Sequence, residues 1–165
     1  MPDVALAVGD RFPPRALPSN GGASFDLSAP ERPTVVYFYP KARTSGCTIE
    51  ARRFNELYAS FRDAGVDVVG VSTDAREDLE AWARECGLEF PLLSDSDGAL
   101  TDRLGLMKDY GEEFGRLPAR VTFLLDTDGA IRRVWNVSDV NSHADEVLEA
   151  ARELLGEEAA AAGTA

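Results

Sequence analysis

Residues Thr34 to Cys47, TVVYFYPKARTSGC, decide the fold. The first six are β-branched or aromatic without interruption, the pattern of a central strand buried on both faces. Pro40 ends the run, because its backbone angle is fixed and it has no N–H to donate. Beyond Cys47, the apolar residues Phe54, Leu57, Tyr58 and Phe61 recur at helical spacing, and the helix stops near Gly65. Strand, loop and helix therefore follow one another, with the cysteine in the helix's opening turn. Val66 to Ser72 reads as a second strand. Asp74 and Glu77 resemble a capping box for a second helix that carries Leu79, Trp82, Ala83 and Cys86 on one face and closes at Gly87.

Working outward, 12–33 is rich in Pro, Gly and Ser and predicts irregular structure with a small hairpin. A short helix is expected within 94–104. Val121 to Asp126 and Ile131 to Trp135 flank Thr127-Asp-Gly129 as an antiparallel hairpin. Ser142 is placed to cap a last helix whose apolar face is Val147, Leu148, Ala151, Leu154 and Leu155. The order β-α-β-α-β-β-α predicts an α/β, thioredoxin-like fold, a mixed sheet flanked by helices, whose first two strands are joined by a right-handed crossover. One domain is expected over 1–155. The ending 156–165, GEEAAAAGTA, has no apolar face to dock and is expected to be a disordered tail. Ligands of open α/β sheets sit at the carboxyl ends of strands, which points to 40–47.

The 165 residues, 44% hydrophobic, suffice for one sizeable core. Seventeen Lys and Arg against 29 Asp and Glu leave a net charge of −12, which repels phosphate backbones and anionic membranes and argues against nucleic-acid and membrane partners. Lys41 and Lys108 are the only lysines. The start, MPDVALAVGD, lacks the basic and apolar regions of a secretory signal, and no run reaches the length of a membrane helix. A cytoplasmic protein is expected. With two cysteines and one histidine, a structural zinc site is not expected, and no other cofactor is implied.

Cys47 shares the inward face of its helix and lies among first-turn N–H groups that have no helical partners. These donors and the positive end of the helix dipole favour a thiolate, a nucleophile at neutral pH. The alternative reading is a small buried hydrophobe. Pro40-Lys-Ala-Arg-Thr44-Ser-Gly-Cys47 has the spacing Pro-x-x-x-Thr-x-x-Cys and resembles the active site of peroxiredoxins. With Gly-Cys-Thr-x-Glu50, it resembles their bacterioferritin-comigratory, or Q-type, subfamily in particular. Val8-Gly-Asp, Val69-Gly-Val-Ser-Thr-Asp74, Phe90-Pro-Leu-Leu-Ser-Asp95 and Arg120-Val-Thr-Phe-Leu-Leu-Asp126 extend the resemblance over most of the chain.

The resemblance implies a peroxidase that reduces hydrogen peroxide and organic hydroperoxides through Cys47 and is re-reduced by thioredoxin or a similar dithiol protein. It further implies a monomer, or at most a weak homodimer. By the same resemblance, Arg120 supplies a guanidinium for charge developing on the leaving oxygen. Thr44 contacts the sulfur or the peroxide, or caps the helix, or does both. Pro40 shapes the site and keeps water from the thiolate, and Glu50 orients an arginine. Many relatives carry a second cysteine five positions after the first, where this chain has Arg52. In others it falls in the next helix, near Ala83, so Cys86 is a candidate resolving cysteine displaced by one turn, or else ordinary packing on its helix face. Arg43 and Arg52 add positive charge beside the thiolate or are solvated. His143, at the start of the last helix, is expected to cap it or face solvent.

Three other functions are weighed. A thioredoxin-type reductase needs a cysteine where Thr44 stands. A cysteine hydrolase needs a histidine beside the thiol. A non-catalytic thioredoxin-like interaction or holdase module would have no need of Thr44, Cys47 and Arg120 together.

Overall fold

The computed structural model describes residues 7–163. Along the chain run β1 (Ala16–Pro18), β2 (Ser24–Asp26), β3 (Thr34–Phe38), α1 (Ser45–Asp63), β4 (Asp67–Ser72), α2 (Arg76–Cys86) and β5 (Leu92–Ser94). They are followed by α3 (Ala99–Arg103), β6 (Met107–Asp109), β7 (Arg116–Pro118), β8 (Val121–Leu125), β9 (Ile131–Asn136) and α4 (His143–Gly163). Five strands form one sheet in the order β5-β4-β3-β8-β9. The predicted central strand is central: β3 pairs in parallel with β4 and antiparallel with β8, and all five of its residues are buried.

Period-two alternation along β3 divides the core into two layers. Val35, Tyr37 and Tyr39 face a layer built with Phe54 and Phe61 of α1, Leu79 and Trp82 of α2, and Val147, Ala151 and Leu154 of α4. Val36 and Phe38 face the opposite layer, where Phe12, Leu17 and Leu27 of the irregular N-terminal segment join Leu100 and Leu104. Because β8 runs antiparallel to β3, the beginning of β8 lies beside the end of β3, with Val121 opposite Phe38. Arg120 is thereby delivered to the loop that leaves β3.

Four expectations need correction. The sheet has a fifth member, β5, and a separate β6–β7 hairpin stands outside it; each of these strands has three residues, too few for a period to show. Asp74 does not cap α2, whose N-cap is Ala75 and has no side-chain cap bond. His143 is neither a cap nor solvated: it is 3% exposed, and its Nε2 lies 2.8 Å from Thr122 Oγ1. The expected tail continues α4 as far as Gly163, as befits a stretch of alanine and glutamate, both strong helix formers.

Gly70 on β4 permits a close approach in the first layer, since a Cβ there would lie 2.9 Å from Tyr37 Cζ and 3.0 Å from its Oη. Tyr37 is fully buried and stacked on Phe54 at 4.6 Å, so it cannot step aside cheaply. Gly70→Ala is expected to destabilise the fold by about 1–3 kcal/mol, measured by urea denaturation. An unchanged midpoint would contradict this packing.

Candidate active site

The loop 39–44 is tied mainly to β4, the residues after it and α2. Tyr39 N–H donates to the Val71 carbonyl at 3.2 Å. Ala42 N–H donates to Asp74 Oδ2 at 2.8 Å, and the same carboxylate oxygen accepts from Ser72 Oγ at 2.7 Å. Asp74 is thus a positioning residue that the sequence disguised as a helix cap. Arg43 holds a left-handed backbone, φ 69°, unusual for a side chain with a Cβ. Its guanidinium reaches Glu85 of α2 through two hydrogen bonds, 2.9 and 3.2 Å.

Thr44 is the N-cap residue of α1 but makes no side-chain cap bond. Its hydroxyl instead donates to the Lys41 carbonyl at 2.7 Å, which leaves the lone pairs of Oγ1 to accept from another donor. The first-turn amides of α1 therefore have no side-chain acceptor, and no acidic residue lies in that turn.

Cys47 is 1% exposed and free. Arg120 Nη2 donates to its Sγ at 3.4 Å, while Nη1 donates to Glu50 Oε1 at 2.7 Å. One guanidinium therefore spans sulfur and carboxylate, bringing together Cys47, Glu50 and Arg120. Gly46 makes room for it, since a Cβ there would lie 3.2 Å from Arg120 Nη2. Pro40 and Arg120 both line a cavity of about 320 Å³ that extends toward the β6–β7 hairpin. Sequence reading missed the hairpin's contribution, Lys108 and Tyr110. The glycines at 111 and 115, which frame its turn, were the available signal.

Cys86 ends α2, half-buried and packed against the layer that contains Cys47. Glu85 ties this end of the helix to Arg43, and Asn55 of α1 donates to the Gly87 carbonyl at 3.0 Å. Arg52 is exposed.

Burial pushes the Glu50 carboxyl up from 4.5 to about 7, and Arg120 opposes this only in part. Its second oxygen, Oε2, is buried without a hydrogen-bond partner among the described residues. Burial lowers His143 from 6.5 to about 4, with Arg120 adding to the shift. The native state therefore holds an extra proton on Glu50, whose contribution to stability is complete below about pH 4.5 and is lost as pH rises through about 7. The contribution of His143 is complete above about pH 6.5 and is lost as pH falls through about 4. The two oppose each other in the mildly acid range. Glu50→Gln should remove one slope, so that its stability relative to the unsubstituted chain rises by up to about 3 kcal/mol between pH 5 and 8. Urea denaturation at a series of pH values measures this, and a constant difference would contradict it.

The AhpC/TSA family profile matches residues 8–134. Peroxiredoxin Q, chloroplastic, from Sedum lineare is 38% identical over 146 residues, covering 87% of this chain and 77% of that protein. Peroxiredoxin Bcp from Escherichia coli K12 is 37% identical over 147 residues, covering 87% of this chain and 94% of that protein. Among solved structures, Peroxiredoxin Q from Xanthomonas campestris superposes with a TM-score of 0.80 at 34% identity, covering 92% of this chain and 98% of that one. The X. campestris protein has also been studied for alkyl peroxide reduction through trapped intermediate and ligand complexes. Serine variants at two of its cysteines have been solved; these lie about one helical turn closer together in sequence than Cys47 and Cys86. Profile, relatives and fold agree with one another: the chain belongs to the AhpC/TSA family of peroxiredoxins, in its Q-type or Bcp branch.

Proposed function

We propose that this chain is a thiol-dependent peroxidase that reduces hydrogen peroxide and organic hydroperoxides through Cys47. The carrying observation is the Arg120 guanidinium, 3.4 Å from a buried sulfur at the start of a helix. The Cys47 thiolate attacks one peroxide oxygen. The O–O bond breaks, its electron pair leaves on the other oxygen, and that oxygen takes a proton to become water or an alcohol. Sulfur is oxidised to the sulfenic acid. Arg120 and the first-turn amides of α1 meet the charge as it moves, and donors fixed in advance need no reorganisation during the reaction. Thr44 Oγ1, its proton committed to Lys41, accepts from the peroxide O–H and orients it. Pro40 walls the site, and Glu50 positions Arg120.

Cys86 then resolves the sulfenic acid: its sulfur attacks Cys47 sulfur, forming the disulfide and releasing water. Support comes from the Arg43–Glu85 tie, which brings the residue beside Cys86 to the Cys47 loop. Asn55, which bonds Gly87, stands roughly two turns, about 12 Å, along α1 from Cys47. A disulfide needs Cα atoms within about 7 Å, so the first turn of α1 must unwind. Thioredoxin or a similar dithiol protein then restores both thiols, in the cytoplasm, where cysteines stay reduced. A monomer fits the described surface, on which Val8, Ile49 and Phe114 are the exposed large hydrophobic residues.

Mass spectrometry after one equivalent of hydrogen peroxide tests both steps. The expected product is a Cys47–Cys86 disulfide, and Cys47→Ser abolishes peroxide consumption. Cys86→Ser should leave the first oxidation intact while the sulfenic and then sulfinic acid accumulate on Cys47. An oxidised Cys47 with a free Cys86 in the unsubstituted chain would reject the resolving role and leave a one-cysteine cycle. An unreactive Cys47 with retained binding of unfolded chains would favour the holdase reading.

A further inference from the structure

The cavity beside Arg120 is shared with Lys108 of β6 and with Tyr110, and its lining contrasts with the rest of the molecule. The chain carries 29 acidic residues and a net charge of −12, yet no Asp or Glu lines this cavity. Pro40, Ala119, Val121 and Val137 contribute its apolar surface, Tyr110 and Asn136 add polar groups, and its two cations are Arg120 and Lys108. Arg120 is already engaged with Glu50 and Cys47. Lys108 differs: among the described residues, no carboxylate lies within ion-pair distance of its ammonium.

Lys108 is nonetheless held in place. Its Nζ lies 5.2 Å from the centre of the Tyr110 ring, a cation–π contact. Tyr110 is in turn fixed by its hydroxyl, which donates to the Pro118 carbonyl at 3.1 Å across the hairpin. A positioned cation without a carboxylate partner shares this cavity with Arg120, whose Nη2 contacts the buried Cys47 sulfur, and with the apolar side chains of Pro40, Val121 and Val137, a combination that suits a ligand with an apolar body and an anionic end. A cavity of about 320 Å³ is at the small end of the range for small-molecule sites.

Resting on the peroxidase reading above, we propose that Lys108 is a specificity-determining residue that selects organic hydroperoxides bearing a carboxylate at the end remote from the O–O bond. The peroxide group sits at Cys47 and Arg120, the apolar body lies along Pro40, Val121 and Val137, and the carboxylate meets the Lys108 ammonium. The acidic surface elsewhere repels such anions, so the local cations supply the discrimination.

The test compares cumene hydroperoxide carrying a para-carboxylate with its methyl ester, a neutral partner of nearly the same shape. At low ionic strength, kcat/KM for the carboxylate should exceed that for the ester about threefold to fivefold, as for a partly exposed ion pair. The ratio should fall toward one in about 0.5 M salt, where exposed charges are screened. Lys108→Met should bring the low-salt ratio to one or below, and Lys108→Glu should invert it. Both substrates react at the same sulfur, so damage to folding cancels in the ratio. A ratio at or below one in the unsubstituted chain, or one that either variant leaves unchanged, overturns the inference. Hydrogen peroxide turnover by the unsubstituted chain is the separate arm: its absence overturns the peroxidase reading and this inference together, whereas its presence without charge preference overturns the inference alone.

Discussion

The site depends on one guanidinium held between two groups that would each be costly to bury alone. Glu50 is 1% exposed and Cys47 is 1% exposed, and Arg120 donates to both. A buried carboxylate without a cation would be strongly destabilising, and a guanidinium without Glu50 would be free to swing away from the sulfur. The pairing of β3 with β8 makes the contact possible, because an antiparallel neighbour starts where β3 ends. Gly46 completes it by leaving the space that a methyl group would take.

Around this centre the loop is fixed chiefly by its own backbone and its neighbours' side chains. Asp74 accepts from the Ala42 amide, Thr44 donates to the Lys41 carbonyl, and Arg43 reaches across to α2. Each tie uses a group that could otherwise have capped a helix or faced water. The consequence is a helix start whose amides and dipole remain available to an incoming oxygen.

The elements that place the site were legible in the sequence because their signals were long. The uninterrupted run of β3, the apolar spacing of α1 and α2, and the turn between β8 and β9 all read correctly; the motif from Pro40 to Cys47 pointed to Thr44, the continuation Gly-Cys-Thr-x-Glu to Glu50, and the separate stretch 120–126 to Arg120. What stayed hidden was local or tertiary. Strands β5, β6 and β7 are three residues each and owe their existence to neighbours rather than to a period. Asp74 and His143 both looked like helix-end residues, and other partners claimed them: the distant Ala42 and the neighbouring Ser72 for the first, Thr122 and the rings of Phe54 and Trp135 for the second. The cavity that carries Lys108 was hidden for the same reason, since its hairpin went unread.

The left-handed backbone at Arg43 has a further consequence for the loop. An L residue relaxes when released from that conformation, so the doorway that holds Thr44 and Cys47 in register is tensioned rather than at rest. The two hydrogen bonds from Arg43 to Glu85 are accordingly a clamp as well as a tie, holding a backbone geometry that its own steric preference disfavours.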